Sequence, residues 1–516
     1  MSTDHRSVLS SAPLWRALIH LCIPMMAGFI VGAVYNIINA GFIGTLHSTA
    51  LLAALTFSLP VFALIMAMGG VFGVGGGTLM SRLMGSEEAG GGENAPAAAA
   101  PSEATEARIR AVSSFTFWGA LAAGAVLAVL GVVFASPIAQ AVGASGDTLA
   151  PTALYIALMF GFCPVYVVCF ALEQVVRAEG AAVASMTGLI ASTVANLVFD
   201  VLFILVLGWG VAGAGVALGL SNLVMAGYYL WWIARRSSHA SVSPRDLRVD
   251  GPMVREVMGV GASELLQSSF LIVTTLVMNW VAVAYGAALL AAMGVALRIS
   301  QLPEMICMGV FMGIIPLLAY AHGAGNVRRL RRGVLASAAS ILGITLVFSS
   351  VVFVFRDGVF ALFSADPAVI DDGVKILTAM LVATLFNGFT GLAIALFQAT
   401  GQMRNAAIMA VAQGVLFIPV VFGARALWGF TGVVWAMTIT EALCFVAALV
   451  LLWSSRAVLT GAGSSEAPGA RDGGGTGAGA DDGSDEGDGP GDGEGPDGAA
   501  PAGAAQHPGY LPATSA

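Results

Sequence analysis

Lysine is almost missing from this chain: Lys375 is the only one in 516 residues. Val374 precedes it, so no glycine-rich loop ending in Gly-Lys-Ser/Thr can cradle a phosphate, and ATP is not expected as a partner. Charge of either sign is scarce, at 10% of residues against about 25% in soluble proteins. No basic stripe interleaved with aromatics exists, which argues against nucleic acid. The five cysteines, Cys22, Cys163, Cys169, Cys307 and Cys444, stand singly without metal-ligand or redox spacing, so they read as packing residues. No metal, cofactor or catalytic residue is expected, and the chain does not read as an enzyme. Gly208-Trp209-Gly210-Val211-Ala212-Gly213 matches the dinucleotide fingerprint, but the acid on a second strand and the strand–helix alternation are missing. A tight hairpin between two helices explains these glycines better.

What the chain has in abundance is apolar sequence, at 58% of residues. A helix needs about 20 mostly apolar residues to span a bilayer, and twelve such segments can be counted. Their limits are about 14–38, 48–80, 109–134, 150–173, 183–207, 211–234, 253–282, 287–318, 334–355, 367–398, 405–425 and 430–453. Continuous runs rich in Leu, Ala and Met favour helices over the alternating pattern of an outer-membrane barrel. The first segment is too long for a signal peptide and lacks a convincing cleavage site.

The architecture is written twice. Ala50-Leu51-Leu52-Ala53-Ala54 returns as Ala288-Leu289-Leu290-Ala291-Ala292, and the same offset of 238 sets Gly85 opposite Gly323. Arg177-Ala178-Glu179-Gly180 is answered by Gln398-Ala399-Thr400-Gly401, and Trp209-Gly210 by Trp428-Gly429, at offsets of 221 and 219. The first copy therefore carries about 17 extra residues, found in the Ala/Gly/Pro/Glu-rich stretch Glu87 to Glu106. Six helices per copy predict two parallel six-helix lobes, related by an axis along the membrane normal, with function between them. The expected fold is an all-α polytopic membrane protein of twelve transmembrane helices. Its parts are a cytoplasmic N-terminus (1–12), a first lobe (13–236, with a flexible loop at 86–107), a linker (237–252), a second lobe (253–456) and a tail (457–516).

Arginines fall on one side of this count. Arg82, Arg108, Arg110, Arg177, Arg235, Arg236, Arg245, Arg248, Arg255, Arg328, Arg329, Arg331, Arg332 and Arg404 share a side, against Arg356 and Arg425 on the other. Positive residues mark the cytoplasmic side, so both termini are expected there; the high Gly, Ala and Arg content with one Lys suggests a genome rich in G and C, and the cytoplasmic membrane of a bacterium is the expected location. The tail holds ten acids and the single Arg471, a net of −9, which leaves +1 for the membrane body out of the formal −8. Such a composition does not bury enough apolar surface to fold, and a solvated, disordered tail is expected.

Polar residues inside the membrane are costly and usually face a cavity or a partner. Asn196 and Asp200 stand four apart in helix 5, and Tyr35 and Asn39 share that spacing in helix 1 at similar depth. A buried carboxylate with phenol and amide neighbours suits a proton or a sodium ion, while the structural alternative is a hydrogen-bonded tie between the two helices. Glu264 and Gln267 in helix 7, Glu304 in helix 8, Asn387 in helix 10 and Glu441 in helix 12 are candidates for a substrate cavity. Glu173 and Arg177 read as a surface ion pair. Glycines 69, 70, 73, 75, 76 and 77 read as close helix packing in helix 2.

Pro24, Tyr35-Asn36, Phe42-Ile43-Gly44, Arg177-Ala178-Glu179-Gly180, Asn196 to Asp200 and Gly208 to Gly213, with Gly323-Ala324-Gly325-Asn326 in the second half, together resemble the multidrug and toxic compound extrusion family over about residues 12–455. The resemblance implies a V-shaped central cavity and export of amphipathic, often cationic compounds against inward proton or sodium flow. It also makes Pro24 the candidate hinge of helix 1. Family members commonly carry an aspartate where this chain has Asn39, so any first-lobe coupling rests on Asp200, with Asn196, Tyr35 and Asn39 as partners. Another branch places an acid where this chain has Asn387. The expected partners are the bilayer and a small organic substrate, and the chain is expected to work as a monomer. The alternatives are a flippase for a lipid-linked precursor and a non-transporting scaffold. Deleting residues 457–516 is expected to leave transport intact, measured as dye efflux; lost efflux would favour the scaffold.

Overall fold

The computed structural model describes residues 5–45, 49–90, 103–283, 287–361 and 367–456. The tail 457–516 and residues 91–102 of the predicted loop lie outside the described residues. After a short helix, His5–Ser10, the chain runs through α1 (Leu14–Thr45), α2 (Thr49–Gly90) and α3 (Glu103–Val133). Next come a bent α4 (Leu149–Gly161 and Cys163–Ala178), α5 (Ala182–Asp200) and α6 (Gly210–Arg236). The second half holds α7 (Gly251–Val283), α8 (Ala287–Gly323), α9 (Val327–Ala361) and α10 (Pro367–Ala399). A last stretch, Met403–Ser454, is 52 residues long. At about 1.5 Å per residue it would reach roughly 78 Å, more than twice a hydrocarbon core of about 30 Å. It breaks at Gly429, whose φ of 57° and ψ of −128° are not helical. A methyl at Gly432 would lie 1.9 Å from the Ala424 carbonyl oxygen, so the chain doubles back there, giving α11 before the break and α12 after it.

Backbone conformation repeats with the sequence. Gly210 and Gly429, 219 apart, have φ of 54° and 57°, and Gly180 and Gly401, 221 apart, have φ of 81° and 71°. These are left-handed positions that suit glycine, so the hairpin reading of Gly208 to Gly213 holds in both copies. The membrane faces repeat as well. Val126, Val129, Leu130 and Val133 on α3, and Leu335, Leu342, Leu346 and Val347 on α9, are exposed apolar stripes suited to lipid. Exposed Trp209, Trp280 and Trp428 mark one end of the bundle, Trp15, Trp231 and Trp453 the other, as interfacial girdles do.

The lobes meet through glycine. A methyl at Gly85 of α2 would lie 2.1 Å from the Tyr320 carbonyl oxygen on α8, and one at Gly323 of α8 would lie 2.1 Å from the Arg82 carbonyl oxygen on α2. Since 82 and 85 map onto 320 and 323, the contact exchanges with itself, as a two-fold axis between α2 and α8 requires. The flanking contacts obey the same rule. Gly75 packs on Val257 of α7, and its counterpart Gly313 packs on Leu21 and Cys22 of α1; Gly261 packs on Val71, whose counterpart Gly309 packs on Met26. Across the seam, Arg82 is paired with Glu256 at 2.6 Å. The other glycines of α2 admit Phe170 and Gln174 of α4 at Gly69 and Gly73, and Thr116 of α3 at Gly76. This is small-residue helix packing.

Two local departures from the sequence expectation have clear causes. Helix α2 continues to Gly90, ten residues past the apolar run, because its further turns are still packed: Ser81, Met84 and Gly85 are buried, Gly85 against α8. Helix α4 bends by 52° at Phe162, where Pro164 follows without an amide hydrogen to donate and packs on Gly124 of α3. Beyond α6, Glu179 fastens the connection to α7, accepting hydrogen bonds from the Ser237 hydroxyl and, at 2.9 Å, from the Ala240 amide. Burial pushes its carboxyl from 4.5 up to about 7, while those hydrogen bonds pull the other way.

A Gly261→Ala change is expected to cost about 1–3 kcal/mol of stability by overpacking. Gly343→Ala, with nothing within 4 Å, should be neutral or gain up to about 1 kcal/mol from helix propensity; equal melting of the two variants would contradict the seam. Because the folded pKa of Glu179 is raised, its stabilising contribution is full below 4.5 and is lost as pH rises through about 7. Glu179→Gln should therefore lose less thermal stability than wild type between about pH 5 and about pH 8. Parallel curves would contradict this.

Candidate functional site

In the first lobe, three of the four predicted coupling residues come together. Asn196 and Asp200, one turn apart on α5, are both buried, and Tyr35 of α1 reaches them. The Tyr35 hydroxyl bonds to Asn196 Oδ1 and lies 3.0 Å from Asp200 Oδ2. Asn39 is on α1 one turn beyond Tyr35; its side chain lies outside the described residues. Directly after Asp200 the helix widens into a π-helical turn, Val201–Val206. Such turns interrupt the regular ladder and recur at functional sites. Tyr35 and Asn196 also line a cavity of about 280 Å³ whose floor carries Glu173, Gln174 and Arg177.

Here one expectation is corrected. Glu173 and Arg177 are not a surface pair: both are buried, 3.4 Å apart, with Ser185 donating to Glu173 at 3.3 Å. The short run from Glu173 to Arg177 resembles a solvated helix end, but the packing of α4 beneath α1 and α5 covers it. A buried pair of this kind is costly to separate.

In the second lobe all five predicted cavity residues line one space of about 300 Å³: Glu264 and Gln267 from α7, Glu304 from α8, Asn387 from α10 and Glu441 from α12. Their hydrogen-bond partners are amides. Gln398 donates to Glu264 at 2.8 Å, Asn387 donates to Glu441 at 3.3 Å, and Gln267 meets Gln413 at 3.4 Å. Glu304 is exposed to the cavity, and Glu441 Oε2 is buried without a hydrogen-bond partner among the described residues. Phe311, Phe417, Met308 and Met437 supply apolar walls. No arginine or lysine is among the lining residues. Met308 and Met312 of α8 border both cavities, which makes α8 their common wall.

Sequence reasoning missed Gln398 and Gln413. Gln398 sits where the first copy has Arg177, so the duplication itself could have flagged it. Pro24 lies inside an unbroken α1, beside Cys22, whose thiol faces the Val310 carbonyl of α8 at 3.5 Å. All five cysteines are buried and free, and no group of three metal ligands occurs among the described residues.

Two six-helix halves around polar intramembrane cavities define a polytopic helical transporter. The comparisons name its kind. The MatE family model matches residues 103–202 and 261–422. The multidrug export protein MepA of Staphylococcus aureus is 34% identical over 460 residues, covering 89% of this chain and 98% of that protein. MepA of Staphylococcus haemolyticus is 33% identical with the same coverage. A multidrug resistance MATE family transporter solved in an outward-facing conformation superposes with a TM-score of 0.79 at 22% identity, over 89% of this chain and all of that one. A MATE structure in the bent conformation gives 0.76 at 20% identity, with the same coverage. The chain belongs to the multidrug and toxic compound extrusion family of membrane efflux transporters.

Proposed function

We propose that the protein is a secondary multidrug antiporter, exporting amphipathic cationic compounds in exchange for protons or sodium ions by alternating access. The observation that carries this is the second-lobe cavity, where three glutamates, amides, aromatics and methionines meet without one basic side chain among the lining residues. An acidic, apolar space attracts an organic cation, and methionines repack around ligands of different shape. The names of the MepA relatives, multidrug export proteins, support the same substrate class. The same cavity disfavours a flippase, whose lipid-linked pyrophosphate cargo would meet three carboxylates there.

Coupling is assigned to Asp200. Its carboxylate is buried against a tyrosine hydroxyl at the head of a π-turn, in the lobe opposite the glutamates. A coupling ion and a drug can then occupy separate cavities that share α8. The arginine-rich ends of α2, α7 and α8 are in contact through Gly75, Gly85, Gly261 and Gly323, so the pathway is closed on the side assigned to the cytoplasm. Alternating access requires that seam to part. We assign both termini to that same side.

The test is transport in liposomes under a proton gradient and, separately, a sodium gradient, followed with a fluorescent organic cation. Wild type should accumulate the dye under one of the gradients. Asp200→Asn should fold but lose accumulation by tenfold or more, roughly the effect expected of an essential proton-transfer group. Undiminished accumulation by the variant would overturn the assignment.

A further inference from the structure

A cleft at the arginine-rich end of the second lobe has no part in the cavities above. It encloses about 590 Å³ between the first turns of α7 and α11, lined by Arg255, Gly259, Gln402, Met403, Arg404 and Asn405. Arg255 and Arg404 are exposed, and neither has an acidic partner among the described residues. The one acid beside them, Glu256, is held by Arg82 at 2.6 Å. The floor is apolar, since Met403 lies directly on Gly259.

Below the arginines the surface turns to hydrocarbon. One turn beyond Arg255 is Met258; beyond Arg404, at helical spacing on one face of α11, are Ile408, Val411 and Val415. All four are exposed. The two helices run side by side from this end, with Gly259 on Met403, Gln267 on Gln413 and Gly414 on Phe270. Two guanidinium groups thus stand at the head of exposed apolar side chains on two adjacent helices.

Fold alone does not demand these charges. The offset of 221 places Val183 where Arg404 stands, and the first copy packs its α5 without an arginine at that turn. A charge present in one copy and absent from the other, with no acid to answer it among the described residues, suits an anionic ligand.

We infer that this cleft binds the phosphodiester headgroup of an anionic phospholipid, with Arg255 and Arg404 on the phosphate and an acyl chain along Met258, Ile408 and Val411. Guanidinium groups suit phosphate oxygens, and basic pockets beside membrane helices favour anionic headgroups. The leaflet is the one at the arginine-rich face, cytoplasmic under the orientation proposed above. The site does not rest on antiport, because lipid binding is read without transport.

The test is native mass spectrometry of delipidated protein titrated with phosphatidylglycerol and with phosphatidylcholine of the same acyl chains. Wild type should hold phosphatidylglycerol tenfold or more tighter than the Arg255→Ala/Arg404→Ala variant, about the effect of two cationic contacts. Phosphatidylcholine should bind both proteins alike, and the Arg255→Lys/Arg404→Lys pair should keep most of the preference. Matched melting curves would confirm that the variants fold. Equal phosphatidylglycerol binding by wild type and the alanine pair would overturn the proposal. Displacement of the lipid by millimolar inorganic phosphate would overturn it too, in favour of a free-anion site.

Discussion

Backbone lies on backbone where α2 crosses α8, and the rest of the structure is arranged around that contact. Gly85 against Tyr320 and Gly323 against Arg82 leave no room for a side chain on either helix. In a bilayer, helices gain little by hiding apolar surface from lipid that is itself apolar, so close van der Waals fit decides which helices meet. The lobes are held together by the absence of side chains at a few repeated positions. Since the contact exchanges with itself under the duplication, each lobe uses the same surface twice.

That constraint also places the chemistry. Bringing α8 against α1 and α2 puts Met308 and Met312 between the two cavities, with Tyr35 and Asn196, the neighbours of Asp200, on one side and the three glutamates on the other. On α2, Gly70 lies against the Glu264 side chain, so the same helix that seals the lobes also bounds the acidic cavity. Several of the polar groups meet amides and hydroxyls, while Glu441 Oε2 is left without a hydrogen-bond partner among the described residues. Gln398 on Glu264 and Asn387 on Glu441 offer hydrogen bonds without adding a positive charge, which leaves the acids available to a cation.

Much of this was legible in the residues. Twelve apolar runs and the duplicated Trp-Gly and Ala-Leu-Leu-Ala-Ala blocks predicted the helices and their grouping, and spacing set Asn196 and Asp200 on one face of helix 5, with Tyr35 and Asn39 at similar depth in helix 1. Intramembrane cost singled out Glu264, Gln267, Glu304, Asn387 and Glu441 one at a time, and the structure places all five around one cavity. What spacing does not reveal is which neighbour covers a helix end. Glu173 and Arg177 carry the signature of an exposed pair and are buried under α1, far away in sequence, and α5, the next helix along. Helix limits were missed where an apolar run ends but the helix goes on, as at Gly90, or where a proline bends a span, as at Pro164. Arg255 and Arg404, without an acidic partner among the described residues, look like ordinary cytoplasmic charge until the cleft between them is seen.

The glycine seam closes the two lobes on the arginine-rich side, and alternating access, as proposed, requires it to open. The direct measurement is the distance between spin labels at Ser86, after the seam on α2, and Arg328, at the start of α9, in a cysteine-free protein reconstituted in lipid. A single short distance at rest, with a second, longer population appearing when substrate or the coupling ion is varied, is the predicted result. One unchanging distance in a protein that still transports would contradict it.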